Sequence, residues 1–134
     1  MLIVEDNEAD VFLIREAIAG ARLPLTLHVV RDGEQALRFF ESAAAGDPSY
    51  SCPDLVILDI NLPKKNGADV LKQMRQAGNC ANARVIVVST SQSERDREHM
   101  KMLGADHYFK KPSQFDEFMK LGDLIKELLG RPSD

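Results

Sequence analysis

The sequence predicts an α/β domain, a doubly wound sheet of five parallel strands with helices on both faces. Three observations carry that reading. Short runs of continuous Val, Ile and Leu recur (Leu2-Ile3-Val4, Val56-Ile57-Leu58, Val85-Ile86-Val87-Val88), the composition of strands covered on both faces. Amphipathic stretches of helical periodicity alternate with them, and right-handed crossovers then place helices above and below one sheet. Finally, the apolar runs end on polar side chains, and open α/β sheets bind ligands in the crevice outside the carboxyl ends of their strands.

The elements follow in order. After Leu2–Val4, a helix is expected from about Asn7 to Ala19, with Val11, Ile14 and Ile18 on one face and Gly20 as its stop. Leu25–Val30 is the next strand. Asp32 with Gln35 reads as a helix cap ahead of Ala36, Leu37, Phe39 and Phe40. Residues 43–53, rich in Ala, Gly, Pro and Ser, form a helix end and a long loop. Leu55–Leu58 is the third strand, and a helix over 67–76 carries Val70, Leu71 and Met74. Val85–Val88 is the fourth strand. Ser91 with Glu94 offers a capping box before a helix that ends at Leu103-Gly104. Tyr108-Phe109 is the last strand. Ser113 or Gln114 opens a final helix bearing Phe115, Phe118, Met119, Ile125, Leu128 and Leu129, and Gly130 stops it.

With 134 residues the chain is long enough for one domain with a real core, and one domain over 1–134 is expected, with no output domain after the last helix. Hydrophobic residues at 44% and charged residues at 28% match an ordinary soluble protein. No apolar run reaches the roughly 18 residues of a membrane helix, and no signal-peptide pattern opens the chain, so a cytoplasmic location and no membrane partner are expected. A net charge of −4 argues against direct nucleic-acid binding, which calls for a basic face. Cys52 and Cys80 have neither Cys-x-x-Cys spacing nor flanking His ligands, and read as two reduced thiols with no role. His28, His99 and His107 are scattered, outside any ligand pattern.

The strand exits hold the chemistry. Glu5-Asp6 follows the first strand, Asp59 the third, Ser89 the fourth and Lys110-Lys111-Pro112 the fifth. An aspartate can act as a nucleophile toward phosphorus and form an aspartyl phosphate. That reaction needs the charges of carboxylate and phosphoryl group neutralised, and Mg²⁺, a hard octahedral ion held by one or two carboxylates plus phosphate oxygens, suits the task. Two bare carboxylates 4 Å apart repel by about 4 kcal/mol at an effective dielectric near 20, so a fold that gathers Glu5, Asp6 and Asp59 expects a cation. Asn61 lies two residues past Asp59, where its backbone carbonyl can turn toward the metal. Lys111 offers a point charge to a phosphate oxygen, and Ser89 a hydroxyl. Each residue alone has a plainer explanation as a cap, a turn or a solvated loop; the ordered set along the topology is what singles them out.

That ordered set resembles the receiver domain of bacterial two-component response regulators. The resemblance rests on residues 2–7, 54–63, Asn66-Gly67, Val87-Val88-Ser89-Thr90, Gly104-Ala105-Asp106 and Lys110-Lys111-Pro112. It implies a flavodoxin-like (βα)5 fold with strand order 2-1-3-4-5. It further implies Asp59 as phosphoacceptor, Asp6 as a direct Mg²⁺ ligand, Glu5 acting mostly through water, and Asn61 as a carbonyl ligand. Ser89 takes the place of the switch hydroxyl, Lys111 that of the lysine on the phosphoryl group, and Tyr108 that of the aromatic whose rotamer reports activation. A cis peptide between Lys111 and Pro112 would aim the lysine inward. Of the two adjacent lysines, strand alternation sends only one to the pocket, and Lys111, directly before the proline, is chosen.

The implied role is a signalling phosphoacceptor rather than an enzyme, one that assists its own phosphotransfer and autodephosphorylation. A sensor histidine kinase is the implied donor. Residues 5–11, 61–67 and 89–91 are most similar to single-domain regulators associated with phytochrome kinases, so a phytochrome-type kinase is the narrower expectation. Phosphorylation would repack the face made by the fourth helix, fifth strand and fifth helix. Phe115, Phe118 and Leu121 are candidates for a homodimer contact there, although an apolar helical stripe is core more often than interface. A flavodoxin-like cofactor binder is disfavoured, because residues 5–10 offer no glycine to cradle a phosphate. An aspartyl-phosphate hydrolase would want Asp-x-Asp on the first strand, and a degenerate receiver would not keep the whole set.

Overall fold

A computed structural model describes residues 1–23, 26–60, 62, 66–76 and 80–130. The elements alternate as β1 (Leu2–Val4), α1 (Glu8–Gly20), β2 (His28–Val30), α2 (Gly33–Ala44), β3 (Leu55–Asp59), α3 (Gly67–Gln76), β4 (Arg84–Ser89), α4 (Glu94–Met102), β5 (His107–Lys110) and α5 (Phe115–Leu129). The five strands form one parallel sheet in the order β2-β1-β3-β4-β5, as the resemblance implied.

The period of two in each central strand divides the core cleanly. Leu2, Val4, Val56, Leu58, Val85 and Val87 point to one face, where α2, α3 and α4 cover them. Ile3, Leu55, Ile57, Ile86 and Val88 point to the other, against Ile14, Ala17 and Ile18 of α1 and Phe118, Leu121, Ile125 and Leu128 of α5. Continuous apolar composition is therefore two interleaved half-cores. The helices are anchored unequally. Helix α5 buries five residues, whereas α4 buries only Met100.

Local chemistry sets the helix ends. Asn7 caps α1 by accepting from the Asp10 amide (3.1 Å), and α1 continues through Gly20 to a cap at Ala21, one residue past the expected stop. Asp32 accepts from the Gln35 amide (2.8 Å), while the Gln35 side chain accepts from the Arg31 amide (2.9 Å). At α4 the expected box is displaced by two residues: Ser93, not Ser91, accepts from the Asp96 amide (3.3 Å). Ser91 is held just outside the helix, donating to Asp96 Oδ2 at 2.6 Å. Strand β2 spans His28–Val30, shorter than expected at its start; Leu25 lies outside the described residues.

Three further expectations are corrected. Cys52 and Cys80 form a disulfide, with Cα atoms 5.2 Å apart, rather than two reduced thiols. The fold supplies what sequence spacing concealed: one cysteine precedes β3 and the other β4, and those strands are neighbours. Phe118 and Leu121 belong to the core beneath α5, leaving Phe115, 52% exposed, as the only one of the three that is free to meet a partner. No peptide among the described residues is cis, the Lys111–Pro112 bond included. The lysine does not need one: its N–H donates to the Ser89 carbonyl (2.6 Å), which extends the β4–β5 pairing one residue and turns the side chain inward.

Gly67 lets α3 approach the end of β3. Its N–H donates to the Ile60 carbonyl (2.8 Å), and a Cβ there would overlap the Asp59 carbonyl oxygen and the Ile60 Cα. Backbone atoms cannot rotate away, so Gly67→Ala should cost about 1–3 kcal/mol in urea denaturation. Reducing the Cys52–Cys80 bridge, which spans 28 residues, should lower stability by up to about 3–4 kcal/mol on the chain-entropy account, read as a shift of the urea midpoint with a thiol reductant.

Candidate functional site

The sheet register assembles the site at the carboxyl ends of the strands. Val4 pairs with Leu58, so Glu5 emerges beside Asp59; Ser89 pairs with Lys110, so Lys111 follows directly beside the end of β4. Glu5, Asp59 and Ser89 are buried polar residues, at 1%, 7% and 1% exposure, and Asp6 stands exposed at the rim. Asn61 lies outside the described residues.

The Lys111 ammonium sits within the acids. Its Nζ donates to Glu5 Oε1 at 2.7 Å and to Asp10 Oδ2 at 2.8 Å, and lies 3.4 Å from Asp59 Oδ2. Glu5 Oε2 accepts from the Asn7 amide at 3.3 Å, so this carboxylate is tied both to the start of α1 and to the lysine. Asp10 was not anticipated from the sequence. On α1 it looks like an ordinary first-turn acid facing the helix dipole. No helical spacing could have found it, because Asp6 precedes the extended Asn7 cap and lies outside α1.

Burial pushes the Glu5 carboxyl up to about 8 from 4.5; its hydrogen bond with Asp59 adds to the rise, and Lys111 pulls back only in part. Burial acts to lower the Lys111 pKa, but its hydrogen bonds to Asp10 and Glu5 and the charge of Asp59 outweigh it, and the ammonium is held charged above its ordinary value. The pocket thus carries more negative charge than its one lysine balances.

Glu5, Asp6 and Asp59 each offer a carboxylate oxygen, and those oxygens lie within 4.8 Å of one another. An all-oxygen donor set suits a hard divalent cation, and such a cation would favour the ionised form of Glu5 that burial disfavours. The residues therefore fit a Mg²⁺ site.

Ser89 connects the pocket to α4. Its Oγ accepts from the Ser91 amide (3.1 Å), Ser91 Oγ accepts from the Ser93 amide (3.2 Å), and Ser93 caps α4. Tyr108 joins from β5, its hydroxyl donating to the Ser91 carbonyl (3.1 Å) beneath the Arg97 guanidinium, 5.2 Å from the ring centre. Lys110, in contrast, is exposed.

Comparison with known proteins agrees on one family. The family model described as "Response regulator receiver domain" matches residues 1–122. The response regulator Rcp1 of Synechocystis sp. is 31% identical over 121 residues, 90% of this chain and 82% of that protein. The crystal structure of the phosphorylated cyanobacterial phytochrome response regulator RcpA superposes with a TM-score of 0.85 at 34% identity, covering 98% of this chain and 94% of the other. The Mn²⁺-bound form of Rcp1 superposes at 0.84 with 29% identity, covering 99% and 95%. Among the described residues no helix is long and apolar enough to cross a membrane.

Folding and ionisation of Glu5 oppose each other. With a pKa near 8 folded and 4.5 unfolded, the native state holds the proton more tightly, so this group's stabilisation is complete below pH 4.5 and declines as pH rises toward 8. In chelator, the protein should lose stability between pH 5 and 8. Glu5→Gln, which mimics the protonated carboxyl, should flatten that dependence and stabilise the metal-free protein by about 1–3 kcal/mol at pH 8, read by denaturant titration.

Proposed function

From the premise that this chain belongs to the response regulator receiver family, we propose that Asp59 accepts a phosphoryl group from the phosphohistidine of a sensor histidine kinase. The observation that carries the reading is the part-buried Lys111 ammonium, 2.7 Å from Glu5 and 3.4 Å from Asp59 at the joint exit of β1, β3 and β5. An ionised Asp59 oxygen attacks phosphorus in line; the P–N bond to the kinase imidazole breaks as the new O–P bond forms, and the imidazole leaves with the electron pair. Lys111 donates to a phosphoryl oxygen, and the Ser89 hydroxyl, once it turns, donates to another. Glu5, Asp6 and Asp59 would hold Mg²⁺, and that ion would supply the charge neutralisation that lets two anions meet. Water attack on the same acyl phosphate, in the same pocket, returns Asp59 and ends the signal.

The output follows from the Ser89 linkage. A hydroxyl that turns to the phosphoryl group gives up the Ser91 amide, and Ser91 carries both the Asp96 contact of α4 and the Tyr108 hydrogen bond. The α4–β5–α5 face then repacks. A second copy meeting that face would use the exposed Phe115. Similarity to phytochrome response regulators favours a phytochrome-type kinase as donor.

Incubation with acetyl phosphate, followed by intact mass, should add one phosphoryl group in Mg²⁺ and none in chelator, and Asp59→Asn should abolish the adduct while leaving the melting transition in place. Normal incorporation by Asp59→Asn would move the site elsewhere. No incorporation in any condition would make the domain a partner-binding module without phosphotransfer.

A further inference from the structure

Asp10 stands outside the acid set that accounts for metal and phosphoryl chemistry, yet its carboxylate is one of the two closest partners of Lys111. An ammonium has three N–H donors. At Lys111 two of them are engaged, by Glu5 at 2.7 Å and Asp10 at 2.8 Å, one before and one after the Asn7 cap in sequence. The remaining direction is toward Asp59 Oδ2, at 3.4 Å, longer than the usual N–H···O distance of roughly 2.9 Å. That gap lies beside the atom that receives the phosphoryl group.

We propose that Asp10 is a positioning residue that, with Glu5, fixes two donors of the Lys111 ammonium and leaves the third aimed at the incoming phosphoryl oxygen. Lysine is a flexible chain with a rotatable head, so by itself it is a poor positioner compared with the rigid fork of arginine. Two carboxylates on different elements, Glu5 after β1 and Asp10 on α1, remove that freedom before the reaction begins. The preorganised donor then costs little reorganisation when charge arrives. Its side chain is partly exposed, at 22%, so Asp10 is dispensable to the core, and Asn7 caps α1 through the Asp10 backbone amide rather than its carboxylate.

The inference rests on Asp59 being the phosphoacceptor, and the experiment separates the two. Rates of phosphorylation by acetyl phosphate in saturating Mg²⁺ are compared for wild type, Asp10→Ala, Lys111→Ala and the double variant. Asp10→Ala should slow the reaction about tenfold, the scale of lost outer partners at such sites. In the Lys111→Ala background the same change should alter the rate by less than about twofold, because its effect passes through the lysine. Without phosphate or metal, ¹⁵N-lysine NMR should show a solvent-protected ammonium signal that Lys111→Ala removes and Asp10→Ala broadens or abolishes. An Asp10→Ala variant that reacts as fast as wild type, a tenfold loss that persists without Lys111, or an ammonium signal indifferent to Asp10 would each overturn the proposal. A wild type that accepts no phosphoryl group overturns instead the reading on which the proposal rests.

Discussion

Carboxylates gathered around a single part-buried ammonium set the terms for this domain. Parallel strands deliver Glu5 and Asp59 side by side, and a low-polarity setting makes their mutual repulsion large. Lys111 offsets part of it, by bridging Glu5 and Asp10 and facing Asp59, while burial, aided by Asp59, still pushes the Glu5 carboxyl up to about 8. The imbalance is chemically useful. A pocket that folds short of positive charge has affinity for a divalent cation built in, and a cation so held makes the same pocket hospitable to a phosphoryl anion.

The rest of the fold serves this cluster. Two interleaved half-cores make the sheet rigid, so that the ends of β1, β3 and β5 can hold Glu5, Asp59 and Lys111 within hydrogen-bond reach of one another. Gly67 removes a side chain where α3 must press against the carbonyl of Asp59. The disulfide joins the segments that enter β3 and β4, at the end of the sheet away from the acids. The entry side is stapled and the exit side is left to the chemistry.

Much of this is legible in the sequence because parallel strands carry an unusually plain code. Buried runs such as Val56-Ile57-Leu58 leave a lone Asp59 conspicuous, and topology then brings Glu5, Ser89 and Lys111 to its side. What escaped reading depends on contacts with no local signature. The pairing of Cys52 with Cys80 follows from strand adjacency and not from spacing. The α4 cap was expected at Ser91 and forms at Ser93, while Ser91 donates to the Asp96 carboxylate instead. Phe118 and Leu121 share a helical stripe with Phe115, and burial alone tells them apart. Asp10 resembles any first-turn acid until Lys111 reaches it across 101 residues of sequence. The Lys111–Pro112 peptide, expected cis, is trans, and the Lys111 N–H donates to the Ser89 carbonyl.

Helix α4 buries one side chain, Met100, where α5 buries five residues. Burying a methionine is worth about 2 kcal/mol, and one hydrogen bond to a charged group contributes about 1.5–3 kcal/mol. The two quantities are of the same size. A single hydroxyl changing partners at Ser89 is therefore commensurate with the whole hydrophobic grip on α4, and far short of what would loosen α1 or α5. The domain is graded in stiffness around its own circumference, and the softest helix is the one that follows the strand ending at Ser89.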